Sequence, residues 1–343
     1  MLTACGSEPL VPYSTDTPPL ALVPATLAGV GDRRGRFREI YCAVLEARHT
    51  VSDYRPCDEA LTRVGIEPAG TGQPVDLGLS RRHLIAAVVP GLGFGCFDEW
   101  LALTRSVAEH VAPFGYGEML IKVDPLSGIA TNARQIRDAL LAMPTESTPA
   151  RIVLIGYSKG APDILEALVS YPEIRSRVAA VVSAAGAIGG SPLANDAEQK
   201  QADLLRHFPG STCESGDGGA VESLRPAVRR AWLAANPLPH EVPYYSLVTF
   251  PQPERISSVL KSSYRKLAQI DPRNDSQVIF YDQVIPGSDL IAYVNADHWA
   301  LAVPVARSHS AVGTTLVTQN AYPREALLEA VLRFVEEDLA IKN

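Results

Sequence analysis

Residues 151–165 have the sequence RIVLIGYSKGAPDIL, and this stretch indicates the fold of the whole chain. The four consecutive branched apolar residues 152–155 predict a β-strand that is buried on both faces. Gly156-Tyr157-Ser158-Lys159-Gly160 follows as a G-x-S-x-G motif, and a helix-like run begins directly after it. The order of strand, tight turn and helix is typical of an α/β protein with a parallel sheet.

A steric argument explains the two glycines of this motif. A strand that reverses sharply into a helix places Ser158 in a strained backbone conformation and leaves no room for side chains two residues away. Ser158 is then exposed at the carboxyl edge of the sheet, next to the free N–H groups at the start of the helix. The pattern therefore favours Ser158 as a nucleophile.

The composition of the chain is that of one large globular domain. Its 343 residues are 46% apolar, which is enough to bury a sizeable core. The formal charge of −7 and the lack of basic runs disfavour nucleic acid and anionic lipid as partners, and favour a small neutral molecule. No stretch of about 18 apolar residues occurs, so the sequence predicts no membrane-spanning helix.

The amino terminus carries a pattern of its own. Leu2-Thr3-Ala4-Cys5 has the form of a bacterial lipobox, in which the cysteine is acylated and becomes the mature N-terminus. We expect residues 1–35 to form a tether with a possible membrane anchor at Cys5, and the protein to be exported, periplasmic or held at the outer membrane. The basic and apolar segments of a signal peptide are then expected to be encoded upstream of Met1. A plain N-terminal tail is the alternative.

The other cysteines are Cys42, Cys57, Cys96 and Cys213, which allow three pairings. For an oxidising compartment we favour Cys42 with Cys57, a bridge that would fasten the predicted helix 36–46 to the segment after the turn at residues 51–53. Four buried thiols are the alternative. No cysteine has metal-ligand spacing with the seven histidines, so the sequence predicts neither a metal site nor a cofactor.

A second apolar strand, residues 83–89, is followed by the glycine-rich turn Pro90-Gly91-Leu92-Gly93-Phe94-Gly95. Such a turn lets the backbone approach a substrate and aim an N–H at a developing alkoxide. We predict that the backbone N–H groups of Leu92 and Lys159 bind this oxyanion, while the Lys159 side chain is solvated. A phosphate-binding loop is disfavoured, because the G-x-G-x-x-G spacing and an acidic residue at the end of a second strand are both missing.

Strands and helices alternate along the rest of the chain, as a parallel sheet requires. Predicted strands cover residues 118–123, 178–185, 244–250 and 290–295, and predicted helices cover residues 97–112, 127–143, 256–268 and 324–339. Residues from about 190 to 242 are polar, glycine-rich and then weakly helical. We predict that they form an inserted lid, which would exclude water from the nucleophile. A plain surface excursion is the alternative.

His298 is the candidate general base, because it directly follows the last predicted strand, whereas the other six histidines lie in contexts typical of surface or capping roles. Asp297 is expected to be structural. Two aspartates could orient the imidazole: Asp275 in the N-D-S-Q-V turn and Asp282 in D-Q-V-I-P. The interval to His298 is 23 residues from Asp275 and 16 from Asp282, and only the longer interval leaves room for a connecting segment. We therefore predict Asp275.

The turn at residues 90–95, G-Y-S-K-G, N-D-S-Q-V and D-H-W together resemble motifs of the serine lipases and esterases of the α/β-hydrolase superfamily, over about residues 80–340. The resemblance implies an α/β-hydrolase fold for residues 36–343, with a mainly parallel sheet, helices on both faces and an inserted lid. It also implies that Ser158 attacks an ester carbonyl, that His298 transfers the proton, and that an aspartate orients the imidazole.

The implied substrate is a small-molecule or lipid ester. Two departures from the family pattern leave its class open: Pro90 replaces a histidine that often precedes the oxyanion glycine, and Ser276 replaces the glycine of N-D-G. An acyltransferase that uses the same acyl-enzyme is an alternative function, and a non-catalytic binding scaffold is another. The sequence indicates neither acyl chain length nor oligomeric state.

Overall fold

The computed structural model describes residues 29–97, 104–144, 151–198 and 211–342. At its centre is a seven-stranded sheet in which all neighbouring strands are parallel, in the order β1-β7-β6-β5-β4-β2-β3. The strands are β1 Gly31–Asp32, β2 Ile85–Val89, β3 Gly117–Leu120, β4 Ile152–Tyr157, β5 Val178–Ala184, β6 Tyr244–Thr249 and β7 Asp289–Val294. The predicted α/β class with a mainly parallel sheet is confirmed.

Seven helices of eight or more residues lie within the described ranges. They are α1 Arg34–Ala47, α2 Thr104–Val111, α3 Ile129–Ala142, α4 Gly160–Ser170, α5 Pro226–Ala235, α6 Lys261–Ala268 and α7 Arg324–Lys342. Shorter helices cover Cys57–Ala60, Leu193–Asp196, His298–Ala302, Val305–Ser308 and Ser310–Thr315. None of the helices in the described part of the chain has both the length and the apolar character that a bilayer crossing needs.

The sheet is covered on both faces, which explains its continuous apolar strands. On one face, Val153 and Ile155 of β4 pack in a cluster with Phe37 of α1 and Phe334 of α7. On the other face, Leu154 belongs to a cluster with residues of α3 and α4. Alternate residues of β4 therefore enter two different cores, as the run at 152–155 predicts.

Some predicted elements differ from the observed ones. The helix predicted for residues 256–268 begins as a 3₁₀ turn, Ser258–Leu260, before α6. Strand β1 was not predicted, because a two-residue strand has no periodicity, and it lies within the range assigned to the tether. Cys5 and the start of the predicted helix 97–112 lie outside the described residues.

All four cysteines after Cys5 form disulfides. Cys42 pairs with Cys57, which confirms the favoured pairing and joins α1 to the short helix Cys57–Ala60. Cys96 pairs with Cys213, so that the 3₁₀ turn Phe94–Phe97 is covalently joined to the segment predicted as a lid.

Candidate active site

Ser158 stands at the sharp turn between β4 and α4. Its φ angle of 55° lies in the left-handed region that side chains rarely adopt. A Cβ atom at Gly156 would overlap the Ala161 backbone, and one at Gly160 would overlap the carbonyl group of Val89. Both glycines of the G-x-S-x-G motif are therefore needed for the close approach of α4 to β4 and β2.

Ser158, His298 and Asp275 form a continuous hydrogen-bonded chain. The Nε2 atom of His298 lies 2.9 Å from Ser158 Oγ, and its Nδ1 atom lies 2.7 Å from Asp275 Oδ2. His298 and Asp275 are buried, whereas Ser158 is half-buried. The structure therefore brings together the three residues that the sequence singles out, with the serine on the side open to solvent.

The N-D-S-Q-V turn and Thr249, the last residue of β6, hold the Asp275 carboxylate from two sides. Its Oδ1 atom accepts hydrogen bonds from the backbone N–H groups of Gln277 (2.9 Å) and Val278 (2.8 Å). Its Oδ2 atom accepts one from Thr249 Oγ1 (2.6 Å), in addition to its contact with His298. The fixed carboxylate in turn fixes the imidazole.

Asp282, the alternative acid, lies elsewhere. Its carboxylate packs against Gly189, and the nearby cation is Arg230, whose Nη2 atom is 3.8 Å from Oδ1. Burial raises the pKa of Asp282 to about 7, with Arg230 opposing. Its Oδ2 atom has no hydrogen-bond partner among the described residues. The aspartate beside the imidazole is Asp275.

Asp297 caps the short helix that begins at His298. Its carboxylate accepts hydrogen bonds from the backbone N–H groups of Ala300 (2.8 Å) and Ser257 (2.9 Å). Tyr157 supports the same turn, because its hydroxyl group donates to the His298 carbonyl oxygen at 2.8 Å. Asp297 therefore has the structural position expected for it.

The structure describes the surroundings of the two predicted oxyanion donors, the N–H groups of Leu92 and Lys159, and their role stays a prediction. Gly91, which precedes Leu92, is so close that a Cβ atom there would lie 2.8 Å from Ser158 Cβ. The carbonyl oxygen of Ser158 accepts hydrogen bonds from Ala161 N–H (3.2 Å) and Ala187 N–H (3.0 Å). Because a trans peptide is planar, the Lys159 N–H of the same peptide points the opposite way, away from these donors.

The Lys159 side chain is not solvated, and that prediction was wrong. It is 1% exposed, and its Nζ atom lies 2.8 Å from Asp163 Oδ1 on the next turn of α4. A lysine is buried in this way only when a charged partner accompanies it. The partner was present in the sequence as an i,i+4 pair.

Among the points at which the described part of the predicted lid is fixed to the body of the protein, two are close together in the chain. One is the Cys96–Cys213 disulfide. At the other, Asp217 accepts hydrogen bonds from Gly128 N–H (2.8 Å) and Thr131 Oγ1 (2.6 Å) at the start of α3. Residues 199–210 lie outside the described ranges, and a lid function for this segment stays a prediction.

An apolar cavity of about 140 Å³ lies between the sheet and α7. Its wall includes Pro90 and Tyr157, the sequence neighbours of Gly91 and Ser158. Glu118 on β3 lies in the same wall, and burial raises the pKa of its carboxyl to about 7. Sequence reasoning missed this cavity; the only signal was an acidic residue within a predicted apolar strand.

The fold and the site geometry can be compared with known proteins. The crystal structure of the metagenomic carboxyl esterase MGS0156 is 42% identical in sequence, covers 94% of this chain and 97% of its own, and superposes with a TM-score of 0.86. The chain belongs to the carboxyl esterases of the α/β-hydrolase type. It is a carboxylic-ester hydrolase, and the predicted family and enzyme class are confirmed.

Two lipases share the fold at low identity. The mature Bacillus licheniformis lipase BlEst2 is 20% identical, with a TM-score of 0.51 over 71% of this chain and 95% of its own. The Staphylococcus hyicus lipase is 10% identical, with a TM-score of 0.52 over 78% of this chain and 99% of its own. No protein-family model matches the esterase, and no curated protein matches its sequence.

Proposed function

We propose that this esterase cleaves its substrate through an acyl-enzyme on Ser158, with His298 as the general base. The observation that carries the proposal is the chain of contacts from Asp275 to His298 to Ser158, at 2.7 and 2.9 Å. Ser158 Oγ attacks the ester carbonyl carbon while His298 Nε2 accepts the hydroxyl proton. The bond to the leaving oxygen then breaks, and the imidazolium gives its proton to the departing alcohol.

Water completes the cycle by the same steps. His298 takes a proton from water, the resulting hydroxide attacks the acyl carbonyl carbon, and the proton returns to Ser158 Oγ as the acid leaves. Asp275 keeps the imidazole in the tautomer that carries hydrogen on Nδ1 and stabilises the imidazolium charge. The backbone N–H groups of Leu92 and Lys159 bind the oxyanion in both tetrahedral intermediates.

The cavity beside the site supports an ester with an apolar acyl group. Its wall is built mostly from aliphatic side chains of the sheet and α7, and it includes Pro90 and Tyr157, the sequence neighbours of Gly91 and Ser158. The charged residues in the wall are Glu118, Arg307, Arg324 and Glu325. Apolar walls favour hydrocarbon over sugar or charged groups. We therefore assign small-molecule or lipid esters with an apolar acyl chain as substrates.

The decisive experiment combines labelling and kinetics on three variants. A fluorophosphonate should label the wild type and Ser170→Ala, an exposed serine of α4, but not Ser158→Ala. Ser158→Ala and His298→Ala should each lower kcat for p-nitrophenyl esters by roughly a million-fold, because nucleophile and base act as one unit. An active, unlabelled Ser158→Ala enzyme would rule out the proposed mechanism.

For localisation we propose export, with acylation of Cys5 as the membrane tether. The lipobox-like Leu2-Thr3-Ala4-Cys5 and the two disulfides support this proposal, because disulfides persist in oxidising compartments. Mass spectrometry of the protein from its native cells should find an acylated Cys5 at the mature N-terminus. A genomic reading frame without a basic and apolar signal segment upstream of Met1 would contradict it.

A further inference from the structure

A buried ion pair lies directly behind the nucleophile. Lys159 is the residue after Ser158, and its Nζ atom lies 2.8 Å and 3.0 Å from the two carboxylate oxygens of Asp163. The two side chains are 1% and 0% exposed. Neither group contacts the reacting atoms, and the mechanism proposed above uses only the backbone of Lys159.

Asp163 also links two helices. Asn132 on α3 donates a hydrogen bond from Nδ2 to Asp163 Oδ2 at 2.8 Å. The carboxylate therefore fastens the first turn of α4, which begins two residues after the nucleophile, to the neighbouring helix. Each of its oxygens has a charged or amide donor.

The same carboxylate attracts a second buried cation. Arg229 of α5 is 1% exposed and interacts electrostatically with Asp163. Its Nε atom donates to the carbonyl oxygen of Ile188 at 3.2 Å. The residue before Ile188 is Ala187, whose N–H holds the carbonyl oxygen of Ser158. Asp163 is thus connected directly to Lys159, and through Arg229 and Ile188 to the segment that holds the Ser158 carbonyl oxygen.

A cluster of this kind is a poor way to stabilise a fold. Burying a lysine and an aspartate costs several kcal/mol for each ion, and apolar residues of similar volume often serve as well or better. Burial accordingly raises the pKa of Asp163, although Lys159 and Asn132 oppose the shift. The location of the cluster, within one helical turn of the nucleophile, points to a role in geometry.

We propose that Asp163, supported by Asn132, is a positioning residue that holds Lys159 so that its backbone N–H stays aimed at the oxyanion. This inference rests on the proposed ester mechanism. The N–H lies on a peptide whose carbonyl oxygen is gripped by Ala161 and Ala187. The Lys159 Cα is bonded to the nitrogen of this peptide and carries the lysine side chain. Because the ion pair fixes that side chain, it limits rotation of the peptide plane between residues 158 and 159.

The test replaces both members of the ion pair by apolar side chains, so that neither is left buried without the other, while Arg229 keeps its hydrogen bond to the Ile188 carbonyl oxygen. The double variant Lys159→Met with Asp163→Leu should lower kcat per fluorophosphonate-titrated site by about 10- to 100-fold, and should change KM by less than about twofold. The loss in kcat is smaller than that expected when an oxyanion donor is removed completely. The affinity for a trifluoromethyl ketone should fall by the same factor, because its hemiketal oxyanion occupies the same place. A purely structural role would lower thermal stability without this matched loss.

Two further variants keep the test decisive. Asn132→Ala removes only the support from α3 and should lower kcat in the same direction by a smaller factor; it decides the question if the double variant does not fold. Arg38→Met with Glu67→Leu removes a largely buried ion pair at 2.6 Å between α1 and Glu67, and should change stability but not kcat per site.

The outcomes separate this inference from the mechanism on which it rests. Wild-type kcat and ketone affinity in the double variant, together with an inactive Ser158→Ala enzyme, would overturn the positioning role and leave the acyl-enzyme mechanism standing. If the double variant does not fold, wild-type kcat and ketone affinity in a folded Asn132→Ala enzyme would likewise overturn the positioning role and leave the mechanism standing. An active Ser158→Ala enzyme would overturn both.

Discussion

His298 and Asp275 are joined by two hydrogen bonds, one between their side chains and one between their backbones. The Nδ1 atom of His298 lies 2.7 Å from Asp275 Oδ2, and the backbone N–H of His298 donates to the Asp275 carbonyl oxygen at 2.9 Å. The turn that supplies the carboxylate therefore also fixes the backbone of the histidine, although the residues are 23 positions apart in the chain. The orientation of the imidazole depends on this one turn.

The first prediction concerns the acid. Asp275→Asn should keep the fold but lower kcat by about ten-thousand-fold, because the amide favours the wrong imidazole tautomer. Asp282→Asn is the matched control and should cost little activity, since Asp282 packs against Gly189. Steady-state kinetics with p-nitrophenyl esters measures both. A larger loss in Asp282→Asn than in Asp275→Asn would contradict the assignment.

The second prediction concerns stability and pH. The pKa of Asp282 is raised from about 3.9 in the unfolded chain to about 7 in the folded protein, so the folded state prefers the protonated carboxyl. Its contribution to stability is complete below pH 4 and is lost as the pH rises to about 7. Asp282→Asn should therefore stabilise the protein by as much as about 4 kcal/mol at pH 8, and hardly at pH 4.

Denaturant titrations at both pH values measure this difference. Asp196→Asn, on an exposed aspartate with no such burial, is the control and should give the same small change at pH 4 and pH 8. If the free energy of unfolding of Asp282→Asn equals that of the wild type at both pH values, the prediction is wrong. The Asp282 carboxylate would then ionise in the folded protein without loss of stability.

The third prediction concerns Ser276, which stands where related motifs have glycine. Its φ angle is 84°, its hydroxyl group is buried, and the oxygen has no hydrogen-bond partner among the described residues. Ser276→Gly should relieve the backbone strain and the unsatisfied hydroxyl group, and the greater freedom of glycine in the unfolded chain offsets part of that gain. We expect the free energy of unfolding of Ser276→Gly to exceed that of the wild type by about 1 kcal/mol. A free energy of unfolding below that of the wild type would contradict this account.

The fourth prediction separates the two disulfides. Removing the Cys42–Cys57 bridge, which closes 15 residues, should cost about 3 kcal/mol of stability and leave kcat per active site unchanged. Removing the Cys96–Cys213 bridge, which closes 117 residues, should cost about 5 kcal/mol and also lower kcat, because Cys96 directly follows the glycine-rich turn at residues 90–95 that contains Leu92. Paired serine variants, titrated with fluorophosphonate, measure both effects. A wild-type kcat in the variant without the Cys96–Cys213 bridge would show that this bridge does not hold the predicted oxyanion turn in place.

Local patterns in the sequence were enough to predict six of the seven strands and the contact between Ser158, His298 and Asp275. Each of these residues follows a strand or lies in a turn with its own signature, and parallel strands bring such positions to one edge. The burial of Lys159 could not be predicted with the same ease, because it depends on the packing of α3 against α4. The Cys96–Cys213 pairing and the cavity beside Glu118 are likewise products of long-range packing, which periodicity does not report.

Strand β1 has a practical consequence for anyone who attaches the enzyme to a solid support. Gly31 is level with Asp289, the first residue of β7, whereas Ser158 follows Tyr157, the last residue of β4. Since all strands are parallel, the chain enters the sheet at the edge opposite the nucleophile. An enzyme coupled to a bead next to β1, at residues 29–30, would therefore present Ser158 to the surrounding solution.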